Sequence, residues 1–181
     1  MYKEYLLSLL DVDEFDIDSK SPFRFWYDHI RKFANKKDGD IFEFGVYRGK
    51  SLIAAALILK KLNSKKKIFA FDTFEGFPSY SKYDNLRNFK NKKYFKKKFL
   101  AEHNKYLRLK KFTTDFKSFN TKNISTSGNF SETSLKTVEN KINYFNLKNI
   151  EIIKGDFLKT IPGFFNSYNK EISSCNIDCD L

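Results

Sequence analysis

Glu43-Phe44-Gly45-Val46-Tyr47-Arg48-Gly49-Lys50-Ser51 is the segment of this 181-residue chain whose residue types and spacing point most directly to chemistry. Gly45 lets the backbone turn sharply off a strand and come close to a ligand, and Gly49 lets a helix begin beside the same ligand. Glu43 places a carboxylate at the strand end, which suits a cationic ligand and repels phosphate. Gly49-Lys50-Ser51 has the ending of a phosphate-binding loop, but that loop needs glycine at position 44, where Phe44 stands. Counting from Gly45 instead leaves the loop one residue short. A dinucleotide fingerprint needs three glycines at closer spacing than this segment offers. The remaining alternative is a glycine turn in a non-enzymatic α/β domain.

Carboxylates recur at later strand ends. Asp72 closes Ile68 to Phe71 and is followed by Thr73. At that place an acidic residue can accept hydrogen bonds from both hydroxyls of a ribose, or simply cap a turn. Asp156 follows Ile150 to Ile153. It can accept from an adenine amino group, and it can also cap the helix that begins at Phe157. Asp178 and Asp180 follow Ile172 to Ile177. Two residues apart on an extended chain, they point the same way and can face one site.

The elements that position these residues follow from apolar periodicity. The spacing of Phe23, Trp26, Ile30 and Phe33 predicts a helix over 22–35, with Ser21 as N-cap and Pro22 at its start. Asp38-Gly39 breaks it, and 41–44 reads as a short buried strand. The apolar run 51–62 predicts a helix, and 68–71 a second buried strand. Strand, glycine turn, helix and strand make a βαβ unit with a parallel sheet. Helix is also expected over much of 85–111, over 131–145 with Ser131 as N-cap, and briefly from Leu158. Strands are expected at 150–153 and 172–177. The fold class is therefore α/β, a Rossmann-like doubly wound and mainly parallel sheet with helices on both faces. Such a sheet rarely ends on its fourth strand, so C-terminal strands are expected to be missing from this chain.

Hydrophobic residues at 41% and charged residues at 31% give an ordinary globular balance. The longest apolar run, Leu52 to Leu59, has eight residues, too few for a membrane-spanning helix. No small-residue cleavage site follows the Leu-rich start, and Asp11, Asp13, Glu14, Asp16 and Asp18 come next. A cytoplasmic protein is the expectation. Cys175 and Cys179 would need two more nearby ligands to hold zinc, and His29 and His103 are remote, so they read as reduced structural thiols. The net charge is +12. Between Lys82 and Lys111 twelve basic residues face two acidic ones, so most of the excess sits in one segment. Nearly all are lysine, without the arginine forks that grip phosphate. This segment is either a solvated helix face or an electrostatic footprint for nucleic acid.

An acidic strand end with glycines two and six positions later resembles the pattern of class I methyltransferases. Phe71-Asp72-Thr73-Phe74-Glu75-Gly76-Phe77-Pro78 further resembles the signature of the macrocin O-methyltransferase family. Gly39-Asp40 leading into Glu43 to Gly49 is similar to that family's first motif. Gly128 to Ser131, Lys154 to Phe157 and Ile177 to Leu181 fall where the family has related elements. The resemblance runs from about Pro22 to the end, with 79–127 expanded into a lid-like basic and aromatic insert of one partial domain, 1–181. It implies S-adenosylmethionine as cofactor, held by Glu43, Gly45, Tyr47, Gly49, Ser51, Asp72, Thr73 and Asp156. It implies a Mg²⁺-assisted O-methyl transfer to a sugar, natural-product or polysaccharide hydroxyl, with Asp178 a metal ligand and Asp180 the general base. Mg²⁺ would lower the pKa of the hydroxyl, and the carboxylate would take its proton. Cys179 replaces the family's glycine between the two aspartates, and the family's further metal carboxylates lie downstream of this chain. A homo-oligomer is possible under this reading. An RNA methyltransferase using the lysine-rich insert, and a truncated non-catalytic cofactor-binding protein, are the alternatives.

Overall fold

In the computed structural model, residues 2–36, 38–85, 97–113 and 130–179 are described. They divide into two compact units, Met1–Phe74 with Ser134–Cys179, and Glu75–Thr133 with Asp180–Leu181. The first unit holds helices α1 (Tyr2–Leu9), α2 (Arg24–Phe33), α3 (Lys50–Lys61), α5 (Leu135–Tyr144) and α6 (Phe157–Phe165). Its strands are β1 (Asp40–Phe44), β2 (Ile68–Asp72), β3 (Ile150–Lys154) and β4 (Ile172–Ile177). They form one parallel sheet in the order β3-β2-β1-β4, so the expected doubly wound α/β architecture is present. The helix α4 (Lys97–Thr113) and a 3-10 turn at Lys82–Asp84 belong to the second unit.

The two central strands are buried on both faces, and alternation sorts their side chains. Ile41, Ile68 and Ala70 face a core built with Leu52, Ile53, Leu59, Tyr27 and Ile30 of α3 and α2. Phe42, Phe44, Phe69 and Phe71 point the other way, onto Phe157, Ile161, Phe164, Phe165 and Tyr168. The Phe44 and Phe71 rings stack at 4.8 Å, and Phe164 meets Phe71 edge-on at 5.2 Å. α3 is apolar nearly all round because it lies within the unit rather than on its surface. No described helix is long and apolar enough to cross a membrane. Among the described residues neither cysteine is in a disulfide; Cys175 is exposed and Cys179 half-buried.

The second unit is described in part. Ser81 and Asp84 form a reciprocal capping box on the 3-10 turn, and the Phe77 ring packs edge-on to Phe130 at 5.2 Å. Leu100, His103 and Leu107 form the buried side of α4. The expected helix over 85–111 is present from Lys97, and residues 86–96 lie outside the described residues.

Three boundaries differ from the sequence reading. α2 begins at Arg24, after a cap position at Phe23 that makes no side-chain bond. The Ser21 hydroxyl instead donates to Asp13 and accepts from the Phe23 N–H, which shapes the turn before the helix. α5 starts at Leu135, not 131, with Ser134 as N-cap accepting from the Thr137 N–H. The N-terminal helix α1 was not anticipated at all. It leads into Val12 and Phe15, which join Leu7 in the core.

Gly45 is where the sheet constrains the candidate turn most tightly. Its φ is +88°, and a Cβ there would lie 2.0 Å from the Asp178 carbonyl oxygen. Strand pairing produces that approach, since the Asp178 N–H donates to the Phe44 carbonyl at 2.9 Å. Gly45→Ala should therefore lower stability by about 2–4 kcal/mol through the unfavourable φ and the backbone clash. Gly163 in α6 has nothing within 4 Å of an added Cβ. Gly163→Ala should raise stability by about 0.5–1 kcal/mol through helix propensity. Urea unfolding of both variants checks the pair, and equal effects would contradict this account of Gly45.

Candidate functional site

The turn after β1 is built from residues with left-handed backbone. Gly45, Tyr47 and Gly49 have φ of +88°, +52° and +76°. Tyr47 is the costly one, because a side chain in that region typically loses about 1–3 kcal/mol. Something must hold it, and Asp72 at the end of β2 supplies part of the hold. Asp72 Oδ2 accepts from the Val46 and Tyr47 N–H groups at 2.8 and 2.9 Å. Its Oδ1 accepts from the Phe74 N–H at 2.6 Å, so one carboxylate clasps the turns after both central strands. Gly49 N–H closes the first turn onto the Val46 carbonyl at 2.8 Å. Three of the roughly four acceptor positions of an ionised carboxylate are thus already used at Asp72.

Glu43 lies beneath this turn with no solvent exposure. Its Oε1 accepts from Ser51 Oγ, on the first turn of α3, at 2.5 Å, and from Asn176 Nδ2, on β4, at 3.4 Å. Its Oε2 is buried and has no hydrogen-bond partner in the structure. Burial pushes the Glu43 carboxyl up to about 8, opposed by the Ser51 and Asn176 donors and reinforced by the charges of Asp178 and Asp72. The ligand-free protein at neutral pH therefore carries a protonated Glu43. An orphaned buried oxygen beside several anionic groups is a setting that a cation improves and a phosphate worsens.

The other expected residues fall at the same, carboxyl-terminal end of the sheet. Thr73 follows Asp72 and is half-buried. Asp156 follows β3, and its side chain accepts from the Leu158 N–H at 3.0 Å, capping α6 as one of its two anticipated roles requires. Gly155 N–H donates to the Asp72 carbonyl at 2.9 Å, which fixes the β3 exit against β2. Asp178 is exposed just past β4. Asp180 lies outside the described residues. Among the described residues no three carboxylate, imidazole or thiol groups converge to hold a metal ion. The expected Mg²⁺ set is therefore not assembled by them.

Two parts of the site were not anticipated. Asn176 pairs with Glu43 in the β1–β4 register, a contact visible in the sequence only once β4 is placed beside β1. Behind α3, buried Asp13 accepts from Ser21 Oγ and from the Tyr27 hydroxyl, the latter at 2.9 Å. Burial foremost, then the Asp13 charge, drives the Tyr27 phenol pKa upward, so it stays a neutral donor. Asp13 N–H also donates to the Lys50 carbonyl at 3.2 Å, tying the N-terminal segment to the start of α3.

Comparison with known proteins adds three findings. The family model for macrocin-O-methyltransferase (TylF) matches residues 28–123. No curated protein matches the chain significantly. Among solved structures, that of the O-methyltransferase NovP is similar with a TM-score of 0.49 at 18% identity, over 85% of this chain and 53% of that one. The chain thus spans about half the length of that protein.

The Glu43 carboxyl sets a pH dependence for the ligand-free protein. Its folded pKa of about 8 lies above the ordinary 4.5, so its contribution to stability is complete below pH 4.5. That contribution falls as pH rises and is lost once pH passes about 8. Glu43→Gln removes the titration and keeps the shape. The variant should match wild type near pH 4.5 and exceed it at pH 8 by roughly 1–4 kcal/mol. Urea unfolding across this range reads the difference, and parallel profiles for the two proteins would refute it.

Proposed function

The chain belongs to the macrocin-O-methyltransferase (TylF) family, and on that premise we propose that it binds S-adenosylmethionine at the turn between β1 and α3 and serves O-methyl transfer. The observation that carries the proposal is Glu43, a fully buried carboxyl with one unpartnered oxygen under a turn of left-handed residues. S-adenosylmethionine, when bound, supplies a methyl group on a cationic sulfur that a hydroxyl oxygen can attack in line. The ligand also carries an ammonium group. In this reading Glu43 gives up its proton as the cation arrives and then balances the charge across the turn. Direct contact is not required, because charges separated by a few ångströms interact strongly where water is excluded. Asp72 has acceptor capacity left for a ribose hydroxyl while its other positions hold the turn. Asp156, whose Oδ1 caps α6, offers its second oxygen to the adenine amino group.

The acceptor we assign is a hydroxyl of a sugar, a related natural product or a polysaccharide. The family resemblance carries this part. Asp180 as proton acceptor and Asp178 as a ligand for Mg²⁺ belong to the same proposal. A cytoplasmic setting, where S-adenosylmethionine is made, is consistent with it.

Calorimetry with S-adenosylhomocysteine, the product form of the cofactor, tests the binding reading without requiring turnover. Wild type should bind it, ATP should not compete, and Glu43→Gln should weaken binding by about tenfold or more through loss of the charge. Competition by ATP, or equal affinity in wild type and Glu43→Gln, would sink the proposal.

A further inference from the structure

Lys141 is 7% exposed, an unusual place for an ammonium group. It sits on α5 one turn after Val138, which is completely buried and whose Cγ1 would lie 3.2 Å from a Cβ at Gly49. The same face of α5 therefore packs directly against the end of the candidate turn. An apolar side chain at position 141 would continue that face and avoid the cost of desolvating a charge. Instead Lys141 Nζ donates to the Arg48 carbonyl at 2.8 Å and to the Asp11 carbonyl at 3.0 Å. The Asp11 carboxylate lies 3.9 Å from Nζ and 3.2 Å from Arg48 Nε.

We propose that Lys141 is a positioning residue for the cofactor turn, fixing the Arg48 carbonyl from below and locking the turn to the N-terminal segment at Asp11. This rests on the binding reading given above. Two N–H groups of the turn and one of its carbonyls are each met by an opposite charge from a distant part of the chain. Asp72 takes the Val46 and Tyr47 N–H groups, and Lys141 takes the Arg48 carbonyl. Arg48 lies between Tyr47 and Gly49, both left-handed, so a bond to its carbonyl restrains the peptide that leads into Gly49. Burial lowers the Lys141 pKa and the Arg48 charge adds to this, while the Asp11 charge opposes it. A buried ammonium adds little net stability even when well paired, which makes a geometric role the better explanation of its presence.

Amide hydrogen exchange and S-adenosylhomocysteine calorimetry on four proteins test this. They are wild type, Lys141→Met, Asp11→Ala and Leu147→Ala, the last a core truncation in the α5–β3 connection. Lys141→Met should speed exchange at Val46, Tyr47 and Gly49 by about tenfold relative to Phe42 on β1, and weaken ligand binding by about tenfold. Asp11→Ala, at a partly exposed site, should speed the same amides by about threefold. Leu147→Ala should lower the melting temperature yet leave affinity within about twofold where it is folded. A fifth protein, Lys141→Arg, should recover part of the lost affinity in the calorimetry. Unchanged turn exchange in both Lys141→Met and Asp11→Ala would overturn the role of Lys141. So would a loss of affinity in Leu147→Ala as large as that in Lys141→Met. Failure of wild type itself to bind the ligand would overturn the binding reading instead, and the role of Lys141 with it.

Discussion

A turn in which three of five residues adopt left-handed backbone does not hold itself. At Gly45 and Gly49 the conformation is cheap, but at Tyr47 it must be imposed from outside. The imposing groups are ionic. The Asp72 carboxylate draws in two successive N–H groups, and the Lys141 ammonium draws the next carbonyl the other way. Beneath both, Glu43 has lost water and gained donors on only one oxygen. The shape of the turn and the preference for a positive ligand that we propose for it thus have separate origins. Shape comes from Asp72 and Lys141, and electrostatic character from Glu43.

The rest of the first unit supports that arrangement by being stiff. Four phenylalanines alternate out of β1 and β2 onto the aromatic face of α6, while the opposite face packs on the nearly all-apolar α3. Strands buried on both sides cannot shift register without moving every side chain to the wrong layer. The β1–β4 pairing sets Glu43 opposite Asn176 and brings the Asp178 carbonyl so close to Gly45 that only glycine fits. The N-terminal segment adds a further constraint, with Asp13 gripping Ser21, Tyr27 and the Lys50 backbone.

Much of this was legible in the sequence, for identifiable reasons. Short, nearly continuous apolar runs mark β1 and β2, the strands buried on both faces, and all four strands lie within a residue of the expected positions. The glycine spacing located the turn. Helix starts were less legible because serine has several uses. Ser21 is drawn to Asp13, and Ser134 rather than Ser131 caps α5 since it can reach the Thr137 N–H. The helix at Tyr2–Leu9 is too short to show a convincing period. Asn176 and Lys141 were illegible for a different reason. Each acquires meaning from a partner 133 or 93 positions away, and local spacing carries no information about such pairs. Asp72 was found by its place at a strand end, but its work on the backbone of the preceding turn was not.

A crystal structure of the protein with S-adenosylhomocysteine tests the central claim most directly. The account expects the amino acid end of the ligand in the Gly45–Gly49 turn, its ammonium toward Glu43, with Asp72 still holding Val46 and Tyr47. A ligand whose phosphate fills that turn, or a turn occupied by the protein's own side chains, would contradict it.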